Sequence, residues 1–113
     1  MRIVNQISVN DDTFSIIEMD RIDRDIITGR VGPLNGQWIC YSGLMTITSN
    51  VFRHQKGRMQ FWAEVTPEMT FETQREAELY AQMRIYQKAY IQMQCYISTM
   101  QNILSKVQIK HKI

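Results

Sequence analysis

From Leu79 onward, apolar side chains return at alternating steps of four and three: Leu79, Met83, Tyr86, Tyr90, Met93, Ile97, Met100, Leu104 and Val107. Such steps bring all of them to one side of an α-helix, the seam on which helices pair in coiled coils. Ala89, Tyr96 and Ile103 widen the stripe along one flank, and Gln87, Gln94, Gln101 and Gln108 line the other. All five glycines and both prolines lie within the first 67 residues, so no strong helix breaker follows Pro67. The spacing predicts one long helix over 66–110, with two possible starts. Thr66, Pro67 and Glu68 offer a cap, a proline where no N–H is needed and an acid at the positive end. Thr73 followed by Glu76 offers a capping-box spacing one to two turns later.

An amphipathic helix ordinarily lays its stripe on its own sheet. Length argues for a second copy instead. About 40 residues at ~1.5 Å each span roughly 60 Å, whereas a compact domain of this size is about 35 Å across. The helix then overhangs its sheet, and its apolar residues need a cover. The expectation is a homo-oligomer, a dimer foremost, held through the nine seam residues. The alternative is a break near Ser98 and Thr99 that folds the last turns back. Glutamines on the flank, rather than opposed Glu and Lys, leave register and strand number unspecified by charge.

Residues 1–65 read mainly as strands. Arg2 to Val9 alternates, with Ile3, Ile7 and Val9 on one face, and Asn10 to Asp12 form a turn. Residues 13–27 fit two periods. The β-branched content of Thr13 to Asp20 favours a strand there, while Ile16, Met19, Ile22 and Ile26 recur at near-helical spacing behind Asp12; the strand is preferred for Thr13 to Asp20. Ile26 to Val31 reads as a short strand before the turn residues Gly32 to Gly36, and Gln37 to Thr48 as another. Val51 to Val65 reads as a hairpin turning at Gln55 to Gly57. Its second arm places Met59, Phe61, Ala63 and Val65 on a core face, and Arg58, Gln60, Trp62 and Glu64 on the opposite, wetter one. The fold class is therefore α+β: an antiparallel sheet of four to six strands followed by one long helix, in a single domain over 1–113.

Composition narrows the function without naming it. The hydrophobic fraction is 44% and the charged fraction 21%, as in ordinary globular chains. Eight methionines suit adaptable interfaces. Thirteen Lys and Arg against eleven Asp and Glu give a net charge of +2, too small to imply a polyanion or a membrane surface. Met1 to Gln6 lacks the apolar core of a signal peptide, and no run approaches a membrane span. The expected setting is the cytoplasm, the host's for a viral chain.

The strongest candidate for chemistry is a basic-aromatic cluster. Arg53, His54, Lys56, Arg58, Gln60 and Trp62, with Phe52 and Phe61, fall within eleven residues. Cations for phosphates beside flat rings for bases are what single-stranded nucleic-acid binders use. The competing explanation is an ordinary charged hairpin. Asp20, Asp23 and Asp25 match no loop of defined ligand geometry and read, with Arg21 and Arg24, as a solvated, charge-paired turn. Cys40, Cys95, His54 and His111 show no zinc spacing. Cys40 reads as a small buried hydrophobe, and Cys95, opposite the seam, as an exposed thiol. No catalytic, metal or cofactor residue is nominated. The function expected is a non-enzymatic binding or regulatory protein, of inhibitor or adaptor type, that acts as a homo-oligomer on a macromolecular partner. A protein partner is preferred, and a single-stranded DNA or RNA module is the alternative.

Overall fold

The computed structural model describes the backbone of residues 1–43 and 55–111, and the side chains of residues 1–43 and 58–107. The chain forms two compact units, Met1–Gln82 and Met83–Ile113.

In the first unit, β1 (Arg2–Val9) and β2 (Asp12–Glu18) form an antiparallel hairpin. Its turn includes Asn10 at a φ of 56°, the left-handed conformation that asparagine tolerates better than most residues. Helix α1 (Arg21–Val31) follows, then β3 (Trp38–Ser42), helix α2 (Gln55–Glu64), a 3₁₀ turn at Pro67–Met69, β4 (Thr70–Phe71) and helix α3 (Gln74–His111). The strands lie in chain order, β1-β2-β3-β4, each antiparallel to its neighbour. The α+β class and the long carboxy-terminal helix agree with the sequence pattern, and four strands lie among the described residues.

Both faces of the sheet are covered. On one, Ile17 and Ile39 pack with Ile27 of α1 and with Phe61 and Val65 beside α2. On the other, Ile16 and Cys40 pack with Ala77 and Ala81 of α3. Burial on both sides explains why Ser15, Ile16 and Ile17 are consecutively buried, where a half-wet strand would alternate. The buried Ser15 hydroxyl donates to the Gly43 carbonyl at 3.0 Å. In β1 the pairing register shifts between Ile3 and Asn5. Ile3 therefore packs with the first cluster, while Val4 and Ile7 pack with the second. The single apolar face expected for Ile3, Ile7 and Val9 is thus divided by one irregular step, and Val9 is exposed.

Two segments expected as strands are helices. Residues 26–31 belong to α1, which is fixed at its ends rather than by an apolar stripe. Asp20 is its N-cap, its Oδ1 accepting the Asp23 backbone N–H at 2.8 Å. Gly32, at a φ of 92°, closes the other end by donating its N–H to the Thr28 carbonyl at 2.9 Å. Residues 55–64 form α2 rather than a hairpin arm. There Phe61 and Val65 are buried together, whereas Met59 and Ala63, assigned by alternation to the same face, are exposed. Residues 44–54, which include the rest of that expected hairpin and of the expected strand to Thr48, lie outside the described residues.

Of the two possible helix starts, the second is used. Pro67 opens only the 3₁₀ turn, and Thr66 makes no side-chain cap bond there. Thr73 Oγ1 accepts the Glu76 backbone N–H at 3.2 Å and caps α3. Between the two starts, Thr70 is held by giving its hydroxyl to the Pro67 carbonyl at 2.7 Å and receiving the Asn35 N–H at 2.9 Å. Gly36 lies directly against the backbone of Phe71 and Glu72, so a Cβ there would overlap the Phe71 carbonyl. Gly36→Ala should therefore push β4 from the sheet edge and destabilise the fold by about 1 to 3 kcal/mol or more. A lowered urea midpoint at unchanged slope is the expected reading, and an unchanged midpoint would refute the close approach.

Candidate interaction surface

Helix α3 runs without a break through Ser98 and Thr99, and Thr99 returns its hydroxyl to the Cys95 carbonyl at 3.0 Å. The alternative fold-back at Ser98 and Thr99 does not occur among the described residues. Such back-bonding of a threonine to the carbonyl four residues earlier can bend a helix slightly, but α3 continues through it to His111.

Within the first unit, Ala77 and Ala81 are the residues of α3 that the sheet buries, with Tyr80 partly covered and its ring 5.2 Å from that of Phe71. Their small side chains let the helix backbone approach the sheet closely. Leu79, two residues from each, sits about half a turn round the helix and is 46% exposed. The seam thus begins on the side that the sheet does not use.

Within the second unit, every described side chain from Tyr86 to Val107 is exposed. Along the seam the exposure ranges from 41% at Met100 to 72% at Tyr86, with Met83, Tyr90, Met93, Ile97, Leu104 and Val107 between them. From Met83 to Val107 neither the seam nor its two flanks carry a charge; Arg84, Lys88 and Lys106 lie on the remaining surface. On the flank, Gln94 donates its amide to the Tyr90 hydroxyl at 2.8 Å. The Tyr90 oxygen thus keeps one hydrogen bond when covered, while its own O–H remains to be directed to an acceptor at the rim. Spacing alone did not single out this pair, although Gln94 following Tyr90 by four residues is its sequence trace. Cys95 is exposed and free, and Cys40 is buried, both as the sequence suggests.

The basic-aromatic residues are arranged differently from the expectation. Arg53 and His54 lie outside the described residues, Lys56 falls in α2, and Gln60 is exposed on that helix. Arg58 and Trp62 come together, but on the amino end of α1. Trp62 donates its indole N–H to Asp23 Oδ1 at 2.6 Å, and Arg58 Nη2 is 4.0 Å from Asp20 Oδ2. The aspartates are accordingly more than a solvated turn. Asp23 is fully buried. Its Oδ2 lies 3.2 Å from the Met1 ammonium, an ion pair without hydrogen-bond geometry. Asp20 takes that ammonium at 2.8 Å. The Asp23 backbone N–H, and then the Met1 ammonium, hold the Asp20 carboxyl far below the usual carboxylate range. Only the Arg21–Asp25 pair, at 4.0 Å and well exposed, matches the expected charge-paired turn. Further along α2, Glu64 accepts the Tyr41 hydroxyl at 2.7 Å, a hydrogen bond that raises the phenol's pKa. These side chains hold α2 to α1 and to the sheet.

A hollow of about 330 Å³ at the end of the sheet is lined by Asn35, Thr70, Phe71 and the carboxylates Glu68, Glu72 and Glu76. No group of three or more His, Cys, Asp or Glu suited to a metal ion occurs among the described residues. No described helix is long and apolar enough to cross a membrane. No protein-family model matches the chain, and neither a curated protein nor a solved structure matches it.

Proposed function

We propose that the protein is a non-enzymatic binding protein of adaptor or inhibitor type that works as a homo-oligomer joined through α3. The observation that carries this reading is the uncovered apolar seam from Met83 to Val107, bordered by uncharged flanks. Its length of about 36 Å and half the girth of a helix about 11 Å thick give roughly 600 Å² per copy. A pair then buries about 1,200 Å², the lower edge of specific, stable interfaces. Apolar side chains at three positions per heptad also suit a helix with bundle neighbours better than a helix in water. A second copy meets no like charge on this surface, which favours self-association over a partner of strong opposite charge. The macromolecule on which the oligomer acts is in this reading a protein. Arg58 and Trp62, the aromatic and cationic pair that a nucleic-acid module would use, face α1.

The test is the mass in solution. Sedimentation or light scattering at tens of micromolar should give a dimer or a larger closed assembly. A monomer under those conditions would remove the basis of the proposal.

A further inference from the structure

Resting on the self-association proposed above, we infer that two copies of α3 meet antiparallel, so that the occupant of the seam is the same segment of a second chain running in the opposite direction. Three observations point the same way.

The first is the difference between the flanks. One carries Ala89, Tyr96 and Ile103, and the other Gln87, Gln94 and Gln101. In a parallel pair each flank faces the partner's opposite flank, so every apolar residue would meet a glutamine. In an antiparallel pair like flanks meet. Apolar residues then cover apolar residues, and glutamine amides, which both donate and accept, face one another.

The second is the symmetry of the seam about Cys95. Reversed about that point, Tyr86 comes level with Leu104 of the second copy, Tyr90 with Met100 and Met93 with Ile97. Each tyrosine thereby receives one aliphatic neighbour, and Met100 sulfur can lie against the Tyr90 ring. Parallel pairing would instead stack Tyr86 on Tyr86 and Tyr90 on Tyr90 in successive layers. The Tyr90 oxygen accepts from Gln94 of its own chain, so it keeps that hydrogen bond in either arrangement.

The third is charge along the helix. Lys106 and Lys110 both lie in the last turns of α3. A parallel pair gathers both copies' lysines at one end, together with the negative ends of both helix dipoles. An antiparallel pair opposes the two dipoles; because it brings Lys106 level with Arg84 of the second copy, two cations meet at that level as in a parallel pair, and the dipoles rather than the side-chain charges carry this preference.

The experiment is a pair of electron–electron distance measurements on the full chain. One nitroxide is placed on the native Cys95, which is exposed. The other is placed on Lys106→Cys in a Cys95→Ser background; Cys40 is buried and stays unlabelled. In the antiparallel arrangement the Cys95 labels lie level with each other. The labels at position 106 are then displaced along the axis by about 33 Å, so their distance should exceed the Cys95 distance by roughly 10 to 20 Å. Two distances within a few ångströms of each other would overturn the antiparallel arrangement while leaving self-association intact. No dipolar coupling at either position would overturn both.

Discussion

Ile97→Lys is expected to convert the oligomer to monomers at concentrations where the wild type is fully assembled. Ile97 lies near the middle of the seam, where the proposed pairing would exclude water most completely. An ammonium placed there must be desolvated without a partner, or must lose its proton, and either costs several kcal/mol. A loss of that size weakens a micromolar association beyond detection, since about 1.4 kcal/mol is tenfold in affinity. Helix α3 itself should persist, because lysine is a better helix former than isoleucine and the position is solvent-exposed in one chain. The readout is therefore mass by light scattering beside helicity by circular dichroism: mass falls and helicity is largely retained. Gln94→Lys, on the flank, supplies the comparison. There the ammonium can reach solvent, and the costs are loss of the amide that serves the Tyr90 hydroxyl and, in the antiparallel pair, a solvent-screened like charge across the flank, so the effect should be about 1 to 2 kcal/mol. Equal effects at the two positions would place the interface elsewhere on the helix.

Asp23→Ala should be the most destabilising single change in the first unit. It removes a fully buried carboxylate, leaves the Trp62 indole N–H without its acceptor and leaves the ammonium of the part-buried Met1 with Asp20 alone. Removing one member of a buried ion pair typically costs about 3 to 5 kcal/mol. In a chain of this size each kcal/mol lowers the melting temperature by roughly 3 to 7 °C, so the first unit should unfold well below the wild type. Asp23→Asn separates the two roles. It keeps an oxygen for Trp62 but loses the charge facing Met1, so recovery of most of the stability would assign the effect to the indole hydrogen bond. An unchanged melting temperature in Asp23→Ala would mean that this buried cluster does not hold α2 to α1.

Much of the fold is legible along the chain because the signals are periodic or local. The seam of α3 repeats over enough residues to set its period apart, and β1, β2 and β3 are legible from alternation, from the β-branched Thr13, Ile16 and Ile17, and from Trp38, Ile39 and Tyr41 respectively. The Thr73 cap is visible in the same way, three residues before Glu76. Helices α1 and α2 are hidden for different reasons. In α1 the intrinsic preferences of Ile26, Ile27, Thr28 and Val31 favour a strand. The caps at Asp20 and Gly32, together with the burial of Ile27, override them. In α2, Phe61 and Val65 are four residues apart, a spacing that satisfies both period two and the helical turn, so the alternation of odd positions there is coincidental. The Asp23–Trp62 hydrogen bond joins residues 39 apart, and no spacing rule reaches across that interval. A buried aspartate beside an exposed one is likewise indistinguishable in sequence until a partner from another element arrives. For the candidate surface, the seam residues were readable, whereas the service of Gln94 to Tyr90 needed side-chain geometry.

The opening turns of α3 give opposite sides of one helix to unrelated tasks: Ala77 and Ala81 seat it on the sheet, while Leu79 starts the seam. Substitutions there are consequently sorted by direction. Size is constrained at the alanines, where a bulkier residue would lift the helix off the strands, and under the proposed pairing hydrophobicity is constrained at Leu79, which is 46% exposed in one chain. If α3 pairs as proposed, exposed seam residues can be exchanged one at a time without renegotiating the packing of Ala77 and Ala81 that keeps the sheet folded.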